Sequence, residues 1–211
     1  MNNRRCIFVA SGVLLMLVLA ACTPKKTRLL LEPSQVLGSV LAEETVRAAG
    51  TKKEVVLILP KWAASSTVEE SFKAALKKQG VKIAFTLLAD MGDPMSRDLI
   101  GLKSEDFFSA LEKSASAGAI VSLAGAPFLN DQDAARLGSD HPPVLVVATG
   151  SLGEVMGIPG NRPYLAGLLK AKIIQLAIVD GEPEPASQLS EKLDANQQLF
   201  AQHYLILRNS D

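Results

Sequence analysis

A three-layer α/β fold built on a doubly wound, mainly parallel sheet is predicted by three features of this 211-residue chain. Short, almost purely apolar runs recur, among them Glu54-Val-Val-Leu-Ile-Leu-Pro60 and Pro143-Val-Leu-Val-Val-Ala148. Strands of that composition are buried on both faces, as in a parallel sheet. Between the runs lie segments with apolar residues at helical spacing, such as Val68, Phe72, Ala75 and Leu76. The two kinds of segment alternate, and right-handed crossovers then place helices on both sides of the sheet.

Ser34 is expected to cap a first helix carrying Val36, Leu37, Val40, Leu41 and Val46, which Gly50 stops. Residues 54–60 read as the first strand. Ser66-x-x-Glu69 has capping-box spacing and opens the second helix, ended by Gly80. Residues 81–88 form the second strand. Ser104 is read as the cap of a helix bearing Phe107, Phe108 and Leu111, and residues 119–124 as the third strand. A shorter helix covers 130–137, and 143–148 is the fourth strand. Asn161-Arg162-Pro163 opens a helix expected to run through Val179. Residues 180–185 are turn-rich, a polar helix starts near Ser187, and 204–207 is a last strand.

Met1-Asn2-Asn3-Arg4-Arg5 is a basic opening, followed by an uncharged apolar run from Ile7 to Ala21. That run is shorter than the roughly 20 residues a membrane-crossing helix needs, and fits a secretory signal peptide. Leu19-Ala20-Ala21-Cys22 resembles a bacterial lipobox, the site of lipoprotein signal peptidase. The resemblance implies cleavage before Cys22, a diacylglycerol thioether on its sulfur and an acyl chain such as palmitate on its amine. It also implies a lipid-anchored cell-envelope location, and Thr23 in place of an Asp favours the periplasmic face of the outer membrane in a Gram-negative cell. Multiple acyl chains anchor durably, at about 0.8 kcal/mol per buried CH₂. The expected organisation is 1–21 signal peptide, 22–52 lipidated N-terminus with tether and first helix, and 53–211 α/β domain. Cys6 leaves with the leader and Cys22 is consumed by lipid, so no intrachain disulfide is expected.

Residues 22–211 suffice for one domain with a full core. Basic and acidic side chains balance at 22 each, which gives no electrostatic case for nucleic acid. The Lys25, Lys26, Arg28 cluster is read as part of a solvated tether.

"KKEVVLILP" followed by a helix ending "KKQG", then "AGAIVSLAGAP", "PPVLVVATG" and "RPYLAGLLKAKIIQL", resemble one lobe of a type I periplasmic binding protein over residues 53–180. A flavodoxin-like single lobe shares the arrangement. Members of the resembled family close two such lobes on a small ligand, and this chain has room for one. The resemblance therefore implies small-ligand binding or protein interaction, with the second wall supplied by a homodimer or an envelope partner.

Ligands of doubly wound sheets sit beyond the carboxyl ends of the strands. The candidate binding residues there are Trp62, Ser65, Ser66, Asp90, Asp93, Thr149 and Ser151. Trp62 suits stacking on a ring or anchoring of its loop. Ser65, Ser66 and Thr67 suit an anion at a helix N-terminus or simple capping. Asp90 and Asp93 suit sugar hydroxyls, a cation, or the turn around Gly92 and Pro94. No nucleophile elbow, dinucleotide fingerprint or P-loop is present. His141 and His203 stand apart without metal-ligand spacing and are expected at the surface. No catalytic residue, metal or cofactor is expected. The leading expectation is a non-catalytic lipid-anchored binding or interaction protein. A periplasmic scaffold, and a hydrolase using Ser65, Ser66, Asp90 or Ser151, are the alternatives.

Overall fold

Four strands carry side chains that demand burial on both sides, and the architecture follows from that demand. This computed structural model describes residues 32–61, 66–92, 101–137, 140–150, 162–181 and 194–209. In it β1 (Glu54–Pro60), β3 (Ala119–Ser122), β4 (Val144–Ala148) and β5 (Leu176–Asp180) are buried along nearly their whole length. With β2 (Lys82–Ala89) and β6 (Tyr204–Arg208) at the edges they form a six-stranded sheet in the order β2-β1-β3-β4-β5-β6. Every pairing is parallel except β5 with β6. The helices are α1 (Pro33–Ala49), α2 (Thr67–Lys78), α3 (Ser104–Glu112), α4 (Asp131–Arg136), α5 (Arg162–Lys170) and α6 (Ala195–His203). This is the doubly wound, mainly parallel α/β fold the sequence predicts.

Side chains alternate across the sheet as the two-residue strand period requires. Val56, Ile58, Ile120 and Val146 pack with Phe107 of α3 and Leu165 and Leu168 of α5. Val55, Leu57, Val121 and Leu145 face the other way, onto Val36, Leu37 and Leu41 of α1, Phe72 and Leu76 of α2, and Phe200 of α6.

α1 precedes the first strand yet is a core element. Of its 17 residues only Glu43 and Arg47 are exposed. Gly38 makes this burial feasible, because a Cβ there would collide with the Ser71 side chain and lie 2.8 Å from the Phe72 nitrogen of α2. Further along, the buried carboxylate of Glu44 takes Arg47 at 2.7 Å and Arg208 of β6 at 2.8 Å. One end of α1 is thus pressed on α2 and the other is clamped to the last strand.

Several expected boundaries shift. Pro33 occupies the first turn of α1, where its missing N–H costs nothing, and Gln35 Oε1 accepts from the Glu32 N–H at 3.2 Å. Glu32, not Ser34, is therefore the cap. Lys103 likewise holds the N-cap position that Ser104 was expected to fill. The helix expected through Val179 stops at Lys170, and residues 176–180 are β5. Lys172 adopts φ 59°, which no continuing helix tolerates. The apolar run after it fits both periods, and the open place beside β4 decides for a strand. The polar helix expected near Ser187 appears as α6 from Ala195, residues 182–193 lying outside the described set.

Gly38→Ala is expected to lower unfolding free energy by at least about 1–3 kcal/mol through overpacking, read by urea denaturation. Arg47→Ala and Arg208→Ala singly leave Glu44 one partner each and cost little. Together they strand a buried carboxylate, and the double variant is expected to lose about 3–5 kcal/mol, more than the two single losses combined.

Candidate functional site at the strand ends

The chain leaves β1 toward β2 and returns to the far side of β1 as β3. The crossover helices α2 and α3 therefore cover opposite faces, and the reversal of strand order between β1 and β3 marks the place beyond their carboxyl ends where doubly wound sheets take ligands. Its edges are built from short-range hydrogen bonds.

On the β1 side the Lys61 N–H donates to the Ala89 carbonyl at 2.9 Å, which ties the β1 and β2 ends together. Trp62 and Ser65 lie outside the described residues. Ser66 is the N-cap of α2, its Oγ accepting from the Glu69 N–H at 3.2 Å. Beyond β2 the exposed Asp90 accepts the Gly92 N–H on Oδ1 at 3.1 Å, and its own N–H donates to Asp106 Oδ2 at 3.1 Å. One carboxylate folds the turn and the next docks it on α3. Asp93 lies outside the described residues.

On the β3 side the buried Ser122 Oγ donates to the Gly125 carbonyl at 2.7 Å and accepts from the Ala124 N–H at 3.2 Å. Gly125 sits at φ 81°, a conformation that suits glycine and turns the chain back over the strand end. Tyr164 of α5 staples the following segment. Its hydroxyl donates to the Pro127 carbonyl at 2.6 Å and accepts from the Leu129 N–H at 3.2 Å. Burial pushes the Tyr164 ionisation up, and the Leu129 N–H partly opposes that shift.

Thr149 is half-buried at the end of β4, and Ser151 lies outside the described residues. Between them the Gly150 N–H donates to Asp180 Oδ2 at 2.6 Å, and Arg162 Nη2 reaches the Asp180 carbonyl at 3.3 Å. Tyr204 pairs with Asp180 across β5 and β6. Its ionisation is raised by burial first and by the Asp180 charge second.

The fold thus brings Ser66, Asp90 and Thr149 to one edge. It adds Asp180, Arg162 and Tyr164, which sequence reasoning missed as site residues. Asp180 follows the apolar Leu-Ala-Ile-Val as Asp90 follows Thr-Leu-Leu-Ala, so the signal was present but was hidden by reading 162–179 as one helix. Along this edge lie the carboxylates of Asp90 and Asp180, the hydroxyls of Ser66, Thr149 and Tyr164, and the Arg162 guanidinium, polar groups of the kind that orient small ligands. Among the described residues no group of three or more His, Cys, Asp or Glu side chains converges as a metal site requires.

A wider depression of about 1080 Å³ lies on the opposite edge, lined by Lys52, Phe108, Arg136 and His141 among others. Its cations are already engaged. Lys52 Nζ donates to the Ala117 carbonyl at 3.1 Å, and the Arg136 guanidinium lies 4.2 Å from the Phe108 ring centre. His141, expected at the surface, is half-buried with Nδ1 2.9 Å from the Pro142 carbonyl oxygen. His203 is exposed.

No protein-family model matches the sequence, and no curated protein does. The fold is similar to that of AraP, an arabinose binding protein from Geobacillus stearothermophilus, with a TM-score of 0.50 and 9% identity over 83% of this chain and 61% of that one. An ABC transporter solute binding protein from Burkholderia graminis in complex with D-arabinose gives 0.48 and 19% over 69% of this chain and 47% of that one. A XylFII-LytSN complex gives 0.48 and 13% over 84% and 60%. This chain therefore spans roughly half to three fifths of these proteins, 47% to 61% of their length. The likeness to the Geobacillus protein is one of fold.

Both tyrosines hold their protons more tightly in the folded chain than the ordinary value of 10.0. Their contribution is fully present below that value and is lost as pH rises through the raised folded values. The protein is expected to lose stability above about pH 10. Replacing both, Tyr164→Phe with Tyr204→Phe, should flatten that alkaline limb in thermal melts across the range.

Proposed function

We propose that this chain is a lipid-anchored cell-envelope protein whose single lobe presents one wall of a small-ligand-binding crevice and carries out no catalysis. Residues 1–21 are the leader, Cys22 is the lipidated residue recognised through Leu19, Ala20 and Ala21, and the chain is exported to the outer membrane's periplasmic face. The observation that carries the binding reading is the reversal of strand order between β1 and β3, with polar side chains gathered at the ends of the neighbouring strands. Trp62 stacks on the ligand, and Ser65, Ser66, Asp90, Asp93, Thr149 and Ser151 supply hydrogen bonds. Arabinose binding by the Geobacillus protein makes a pentose the first ligand to test. A second copy or an envelope protein closes the crevice, since one lobe leaves most of a small ligand wet.

Calorimetric titration of the full chain with D-arabinose, other pentoses and amino acids is the test. Saturable heat that disappears in Trp62→Ala and falls about tenfold in affinity in Asp90→Ala, the loss of one charged hydrogen bond, is the expected result. Silence across the panel defeats the small-ligand reading. Cys22→Ser is expected to move the protein from the detergent phase to the aqueous phase on cloud-point partition, and unchanged partition defeats the anchor.

A further inference from the structure

Net charge hides a strong separation of charge. In a doubly wound fold the crossover helices run antiparallel to the strands, so their C-termini gather at the edge where the strands begin. Carbonyl ends attract cations, and amide ends attract anions. Here α2 ends in Lys77 and Lys78, α5 ends in Lys170, and β5 is preceded by Lys172. Lys53 and Lys82 join them, the Lys82 N–H donating to the Lys53 carbonyl at 2.8 Å. The other edge carries more exposed acids than bases, with Glu32, Asp90, Glu105, Asp131 and Asp180 against Lys61, Lys103 and Arg162.

Lys53, Lys77, Lys78 and Lys82 form the densest corner. All four are exposed, and among the described residues none has an ion-pair partner. Glu54, beside Lys82 in the strand register, is the nearest opposing charge in the sheet. Glu112 and Asp140 lie around the depression farther along the rim. β1 is 7 residues long, about 23 Å at 3.3 Å per residue. That exceeds the Debye length of about 8–10 Å near physiological salt, so the acidic pole does not cancel the basic one at a surface touching the rim.

We propose that this lysine rim docks on the anionic headgroups of a lipid bilayer, turning the strand-end crevice away from the membrane. Charge complementarity argues for that partner: lysines serve as point charges for phosphate without fixed geometry, and the rim presents a row of them at the blunt end of a sheet. Each lysine near an anionic surface is worth about fivefold in partition. The inference rests on the envelope reading above, and the test separates the two.

The full chain is floated with phosphatidylcholine vesicles and with vesicles containing phosphatidylglycerol, then acylated at its amines and mapped by mass spectrometry. On the anionic vesicles at low salt Lys53, Lys77, Lys78 and Lys82 should be protected relative to Lys61 and Lys103 on the opposite edge, and high salt should erase the protection. A Lys77→Gln, Lys78→Gln, Lys82→Gln variant should lose the protection remaining at Lys53. Equal labelling on both vesicle types, or equal protection of Lys61 and Lys103, overturns the rim. Protection that appears only when polyglutamate is added also overturns it, in favour of an acidic protein partner. A chain that fails to float with phosphatidylcholine overturns the anchor alone. The rim then stands if flotation with phosphatidylglycerol is salt-sensitive and about a hundredfold weaker in the triple variant, and falls if there is no such flotation.

Discussion

Covering a sheet that is apolar on both faces is the constraint on which the rest depends, and α1 meets it on one of them. The crossovers between β1 and β4 supply α2 to one face and α3 and α4 to the other, which leaves β3 and β4 short of cover beside α2. α1 takes that place. Val36, Leu37 and Leu41 are each 1% exposed or less, and burying each contributes about 1.5–3 kcal/mol. That gain needs close approach to α2, which Gly38 permits by having no side chain. The helix that precedes the first strand is therefore part of the core.

The Glu44 clamp follows from the same placement. A carboxylate 7% exposed is costly unless paired. Its two arginines keep their outer faces in water, with side chains 66% and 47% exposed, so pairing desolvates one partner rather than three. The ion pairs hold α1 and β6 in register more than they add net stability. The chain's first described helix and its last strand are joined through one buried oxygen pair.

Charge separation is a further consequence of topology. Preferences worth about 0.3–1 kcal/mol at each helix end are local and unremarkable singly. A parallel βα repeat points most helices the same way and adds those preferences into two poles. The acidic pole coincides with the strand ends, where Asp90 and Asp180 already serve the turns that shape the crevice. Structural and ligand-facing roles there draw on the same carboxylates.

The sequence by itself determined the α/β class and the first four strands: β1, β3 and β4 because uninterrupted apolar runs such as Val55–Leu59 need burial on both faces, and the edge strand β2 as the apolar-rich run between Gly80 and Asp90. It determined the cap at Ser66, a matter of atoms three residues apart. It placed Ser66, Asp90 and Thr149 at strand ends, because position after an apolar run is local information. It also marked the last strand at 204–207, seen as β6 at Tyr204–Arg208. Tertiary structure decided what remained. Residues 173–179 fit helix and strand periods alike, and the open place beside β4 made them β5, which carried Asp180 into the crevice edge. The burial of α1 and the meeting of Glu44 with Arg208 join residues distant in sequence. No local pattern encodes such a meeting, since only packing brings the two groups together.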